Sequence, residues 1–323
     1  MHARALLVLA TLLAAGAAAA DPPPPLTVPD LMGARTLALQ AGVGSASGTE
    51  ALFLNPAAIS ARKRYTVDAF YLTDRRPDLA GSEREQDLFG GSVVDSATTS
   101  VAAGLTYARP TGGVETGTLL RLALAGAITQ GLFLGVQGNY YDLTGGAYDV
   151  PTACGGTSQA PCVPEQWPRI ASTLNVDAGL FYQATDLVSV GAAGYNLLSA
   201  KHRDVLPRGF GAGIAVGSDS SLQAVADWHI ALDRPPPPSS PSGVIGSTKS
   251  TNRFSAGLEY LVSGALPVRA GYQIDDWSKT RWWSLGLGLT STSAALDLGY
   301  RQSTSDPKAR TFEVAVRVFV PNE

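Results

Sequence analysis

From Arg64 onward, apolar and polar residues trade places at every second position, in segments separated by small clusters of Gly, Asp, Ser and Pro. Fourteen such segments can be drawn: 64–76, 87–95, 98–109, 117–129, 132–144, 172–184, 187–199, 208–218, 221–233, 251–263, 266–277, 281–291, 294–304 and 309–320. A period of two means strands with two chemically distinct faces. In 172–184, Leu174, Val176, Ala178, Leu180 and Tyr182 share one side, opposite Asn175, Asp177, Gly179 and Gln183. In the last segment Phe312, Val314, Val316, Val318 and Val320 stand opposite Glu313 and Arg317. The charged face needs water or a filled lumen, and the apolar face needs lipid or a core.

The connections narrow the choice. Six are tight, at Asp95-Ser96, Gln130-Gly131, Thr185-Asp186, Asp219-Ser220, Ser263-Gly264 and Thr292-Ser293. The seven between them are longer, including 145–171 and 234–250. An even number of strands with alternating short and long connections predicts an all-β fold: a transmembrane antiparallel β-barrel of 14 strands in a bacterial outer membrane. Aromatics near strand ends, such as Tyr65, Tyr71, Tyr140, Trp228, Trp283 and Phe319, predict interfacial girdles. Beyond residue 20 no run of eighteen apolar residues occurs, which excludes a helical membrane protein.

Residues 1–20 read as a signal peptide, with basic "MHAR", an apolar core and Ala18-Ala19-Ala20 before Asp21. Asp21 in place of Cys predicts no lipid anchor. In an exported chain Cys154 and Cys162, in "ACGGTSQAPC", are expected to form a local disulfide. With no His nearby they make a poor metal site, and neither metal nor cofactor is expected. A net charge of −3 over 323 residues gives no reason to expect nucleic acid as a partner.

Little points to catalysis. His2 leaves with the signal peptide, His202 lies in the polar stretch "AKHRD", and His229 falls on an inward face where it could donate to Asp227. A lumen histidine held by hydrogen bonds outweighs a Ser-His-Asp hydrolase, so no enzyme is expected. "GFGAGIAVG" at 209–217 lies within a strand with no helix after it; its glycines are expected to relieve crowding rather than bind phosphate. The inward charges are Asp68, Arg121, Asp177, Asp227, Arg253, Glu259, Arg269, Asp275, Asp297, Arg301, Glu313 and Arg317, with His229 among them. Interspersed signs predict a polar network that fills the lumen, since a selectivity ring favours one sign at one depth.

The segment before the first strand, 21–63, opens with "DPPPPLTVPD" and continues "LMGARTLALQAGVGSASGTEALFLNPAAIS". Asn55 can cap a short helix with Pro56 in its first position, and Leu52, Phe53, Leu54 and Ile59 supply an apolar surface. Gly33-Ala34-Arg35, then Gly42-Val43-Gly44, then Glu50-Ala51 followed by Asn55-Pro56-Ala57, resembles the N-terminal hatch of the FadL-type long-chain fatty-acid transporters and their PorV-like relatives. Those proteins carry a Gly-Ala-Arg-Ala-type turn, a Gly-rich run and an acidic-Ala-x-x-x-Asn-Pro-Ala-Gly box; Ala58 stands here where Gly is common.

The resemblance implies a hatch at 21–63 inside a barrel of 64–323, with Gly33, Arg35, Gly42, Gly44, Glu50, Asn55, Pro56 and Ala57 as its motif. It implies passive uptake of a fatty-acid-like hydrophobic small molecule through a hatch-gated lumen, with sideways exit near a kinked strand. Gly90-Gly91 and the glycines of 209–217 are the candidates for that kink. The implied partners are outer-membrane lipid, the hydrophobic ligand and the barrel-assembly machinery, whose C-terminal signal "FEVAVRVFV" resembles although "PNE" follows it. The alternative is a PorV-like protein that transports nothing and anchors exported proteins at the surface. Its contacts would come from loops 145–171 and 234–250, which are rich in Pro, Gly and Ser.

Overall fold

A computed structural model describes residues 33–77, 83–112, 116–144, 169–198, 206–234, 249–277 and 279–321. The signal-peptide residues, Cys154, Cys162, His202 and most of loops 145–171 and 234–250 lie outside these ranges. The fourteen strands are β1 (Arg64–Pro77), β2 (Glu83–Asp95), β3 (Val101–Gly112), β4 (Thr116–Thr129), β5 (Leu132–Thr144), β6 (Arg169–Thr185) and β7 (Val188–Tyr195), then β8 (Arg208–Gly217), β9 (Leu222–Arg234), β10 (Lys249–Val262), β11 (Leu266–Asp275), β12 (Thr280–Thr290), β13 (Ala294–Ser303) and β14 (Arg310–Pro321). Each pairs antiparallel with its neighbours in sequence, and β1 closes on β14 with Asp68 opposite Arg317.

Every alternating segment of the sequence is a strand, with shifted ends. The strand expected at 187–199 stops at Tyr195, because Asn196 turns left-handed (φ 54°) and gives its amide to Asp177 Oδ1 at 2.8 Å. The expected long-short rhythm of the connections is not strict. The connection 113–115 is shorter than 96–100, where the Asp95 carboxylate accepts the amides of Ala97 and Thr98, both at 3.0 Å, and builds a wider turn.

The outward faces are apolar. Val67, Leu122, Leu174, Leu258, Leu287 and Val316 are each more than 40% exposed, far more contiguous apolar surface than water tolerates. The inward faces enclose the N-terminal segment. It holds two short helices, α1 (Ala34–Leu39) and α2 (Ala51–Leu54), and two 3-10 turns at Gly48–Glu50 and Pro56–Ser60. Gly33-Ala34-Arg35, read as a turn, is the start of α1. Asn55 accepts the Ala57 amide at 3.2 Å with Pro56 in the first position of its turn.

Glycines in the wall make room for this segment. A Cβ on Gly257 would lie 2.3 Å from the Leu39 carbonyl oxygen, and one on Gly179 would lie 2.1 Å from Asn55 Oδ1. The wall backbone thus meets the Leu39 backbone and the Asn55 amide at distances that any side chain on the wall would forbid.

The lumen is not uniformly polar. Inward Phe70, Leu72, Leu88, Leu119 and Leu143, from β1, β2, β4 and β5, pack with Leu52, Phe53 and Ile59 of the N-terminal segment in one buried cluster. The Phe53 and Phe70 rings meet edge to face, their centroids 5.7 Å apart. The charged residues concentrate on the opposite side, from β9 to β14.

Candidate functional site

Arg35 and Glu50 sit in a closed ring of alternating charge. Arg35 grips Glu259 with Nε and Nη2, both at 2.9 Å, and reaches Glu50 at 3.4 Å. Glu50 accepts from Arg317 at 2.6 Å, and Arg317 lies 3.5 Å from Asp297. Asp297 accepts from Arg269 at 2.6 Å, and Arg269 returns to Glu259. Three guanidinia and three carboxylates, all buried, therefore neutralise one another. Two members come from the N-terminal segment and four from β10, β11, β13 and β14. In this setting each buried charge has a partner on both sides, which is the condition under which burial is tolerated.

The ring shifts its members. Burial alone would raise the Glu50 pKa, but Arg317 and Arg35 outweigh it and hold the carboxyl below its ordinary 4.5. Burial opposes the charge on Arg35 as well, yet Glu259 and Glu50 push its pKa above the ordinary arginine range. For Glu50 the folded pKa is lower than the unfolded one. Its stabilisation is fully present above the unfolded value and is lost as pH falls through the folded value. Limited proteolysis of the N-terminal segment is therefore expected to be flat from about pH 8 to about pH 5 and to accelerate only below about pH 4. Acceleration already at about pH 6 would point to a different titrating group.

A second set of tethers holds the middle of the segment. Asp227 accepts the amides of Gly42 (2.6 Å) and Val43 (2.9 Å). Asn55 donates to the carbonyls of Val43 (3.1 Å) and Leu180 (2.9 Å). Ser189 binds the Gly44 carbonyl at 2.6 Å, Tyr195 that of Leu54 at 2.6 Å, and Arg121 that of Leu52 at 2.8 Å. Gly44 passes so close to Gly213 that a Cβ on Gly44 would sit 2.6 Å from the Gly213 carbonyl oxygen.

The remaining charges expected in the lumen all lie on the inward parity, but they do not form one network. Arg301 binds Thr311 (3.0 Å) and stacks over Trp282, a ring that Arg76 also approaches; Thr311 in turn reaches Asp74. Asp74, Arg76 and Trp282 carry no mark in a linear reading beyond the strand parity that turns them inward. Asp177 is committed to Asn196 (2.8 Å), and Arg253 stands opposite Asp275 in the β10–β11 register. One oxygen each of Asp68 and Glu313 is buried without a hydrogen bond among the described residues. His229 lies 3.8 Å from Asp227, too far to donate to it as expected, and stacks on Tyr195 instead. Asp227 Oδ2 is given to backbone amides, and among the described residues no carboxylate hydrogen-bonds the imidazole to orient it as in a triad.

Between the apolar and charged halves lies a cavity of about 60 Å³. Phe53 and Leu54 of the N-terminal segment form one side, and Tyr141, Tyr195 and His229 of the wall form another. Its lining also includes Phe210 and Ile230, which point outward from β8 and β9; Phe210 is 49% exposed. The cavity thus reaches the outer surface beside the end of β7. There the β6–β7 ladder ends at Ala178 while β6 stays paired with β5, and Asp177, the Val176 carbonyl and Asn175 accept the amides of Asn196, Leu197 and Leu198 in turn. The two glycine stretches offered for a kink carry no bulge: β2 and β8 keep an unbroken register with both neighbours. What ends early is β7, at Tyr195.

These features define a class, the closed fourteen-stranded barrel with a filled lumen. Solved structures that share its fold include the CymD monoaromatic hydrocarbon channel, with a TM-score of 0.60 at 15% identity, covering 89% of this chain and 96% of that one. The toluene transporter TbuX of Ralstonia pickettii gives 0.59 at 14%, covering 89% and 97%. A FadL homologue of Pseudomonas aeruginosa gives 0.57 at 13%, covering 93% and 98%. At such identities the likeness is one of fold, and the barrel is FadL-like. No protein-family model and no curated protein matches the chain by sequence.

Proposed function

We propose that this chain is a bacterial outer-membrane protein that takes up a hydrophobic small molecule passively, with the N-terminal segment as its hatch. The observation that carries this reading is the cavity bounded by Phe53 and Leu54 on the hatch side and open past Phe210 and Ile230 on the lipid side. A molecule entering from the cell exterior meets the apolar half of the lumen, and the early end of β7 offers an exit into the bilayer. The fold is shared with proteins described as a hydrocarbon channel and a toluene transporter, which supports an apolar cargo. The polar groups at the cavity, Arg121, Asp177 and His229, leave room for a cargo with one polar end.

Proteoliposome uptake tests the reading. Wild-type protein is expected to speed entry of toluene or of a fluorescent fatty acid over protein-free liposomes. Tyr195→Trp, which fills the cavity and keeps an aromatic ring beside His229, is expected to cut the rate about ten-fold, as a blocked small pocket should. Uptake equal to empty liposomes for the wild type would refute the transport reading. Uptake undiminished in Tyr195→Trp would move the route elsewhere.

A further inference from the structure

The geometry points to a second binding site, for an amphiphilic organic anion, in a cavity of about 590 Å³ at the end of the barrel where β1 begins and β14 ends. This site lies on the other side of the charge ring from the cavity beside Phe53. Its lining holds six cationic side chains against four carboxylates. Three of the carboxylates, Glu50, Glu259 and Asp297, are already matched by the three arginines of the ring. The fourth, Asp219, is paired with Arg62 at the surface.

Lys63 and Arg64 are the surplus. Lys63 is exposed and makes one long contact, 3.5 Å, to the Thr99 carbonyl. Arg64 lies 4.3 Å over the Phe319 ring, and its Nε is buried with no hydrogen-bond partner among the described residues. The Nε of Arg317, which also lines the cavity, is buried and unpartnered in the same way. A buried guanidinium N–H left unmatched costs free energy until an acceptor arrives, and an anion is the acceptor that also balances the surplus charge.

The rest of the wall says what the anion is attached to. Phe319 under Arg64 and Ala295 opposite Arg317 add apolar surface next to the two guanidinia, and Leu261 and Pro267 add more elsewhere in the lining. A carboxylate on a short apolar body satisfies both parts, whereas an inorganic ion satisfies only one.

The test uses the full-length barrel in lipid nanodiscs and isothermal titration with octanoate, octanol and inorganic phosphate. Octanoate is expected to bind saturably and more tightly than either of the others. Arg64→Gln is expected to weaken it about ten-fold and Arg64→Lys less, as loss and retention of a charged donor predict. Lys63→Gln, at an exposed position that leaves the barrel intact, is expected to weaken it about three-fold through charge alone. Tyr195→Trp, in the other cavity, is expected to leave it unchanged, so the result stands apart from the transport test. Octanoate binding unaltered by both Arg64→Gln and Lys63→Gln overturns the site. Equal binding of octanol or of phosphate, or no binding of octanoate, overturns it as well.

Discussion

Glu259→Ala is expected to detach the first half of the N-terminal segment from the wall. The substitution leaves Arg35 and Arg269 facing each other in a buried space with one carboxylate fewer. Removing one partner of a buried ion pair costs about 3–5 kcal/mol, much of it from the charge left behind. Among the described residues no other carboxylate stands ready: Glu50 and Asp297 are already shared with Arg317, and Gln223, which accepts from Arg35 at 3.0 Å, carries no charge. Residues from Gly33 to Glu50 should then become accessible to protease, while Asn55 to Ile59 stay seated by their apolar contacts and by the Asn55 hydrogen bonds. Single-channel recordings should show open events that the wild type lacks. Replacing both Arg35 and Glu259 by Leu should be milder than Glu259→Ala alone, because the unmatched charge goes too. A double variant as damaged as the sum of its singles would mean that the two residues act independently.

Gly257→Val is expected to have the next largest effect. Its Cβ would fall 2.3 Å from the Leu39 carbonyl oxygen, backbone that cannot swing aside as a side chain can. Overpacking of this kind costs about 1–3 kcal/mol, and α1 is the element able to move. The expected readout is faster proteolysis near Leu39 with an intact, heat-resistant barrel. Gly138→Val is the control: nothing lies within 4 Å of its Cβ position, and it should be neutral.

Strand parity made most of this architecture legible. A two-residue period assigns faces wherever one face meets water or charge and the other meets lipid. It could not separate the two kinds of inward face. Phe70 and Leu72 share the inward parity of Asp68, but nothing in a linear reading sets them with Leu88 against Phe53 rather than in the polar network. The ring was hidden for another reason. Arg35 and Glu259 are 224 residues apart, and Glu50 and Arg317 are 267 apart, so no local pattern joins them. The resemblance of the Gly-Ala-Arg and Asn-Pro-Ala elements to a hatch singled out Arg35, Glu50 and Asn55, and strand parity singled out Glu259 and Arg317. The closed barrel brings the two sets together. The early end of β7 is marked in the sequence only by Asn196, which falls on the outward parity of Val190 and Ala192, and its left-handed backbone ends the strand.

The most direct test of the central claim is to locate an apolar ligand in the protein. Crystals soaked with bromobenzene, measured at the bromine edge, are predicted to show a bromine peak among Phe53, Tyr195 and Phe210, and no peak there in Tyr195→Trp. Bromine found only along the outer apolar belt, or at the inner position in both proteins alike, would contradict it.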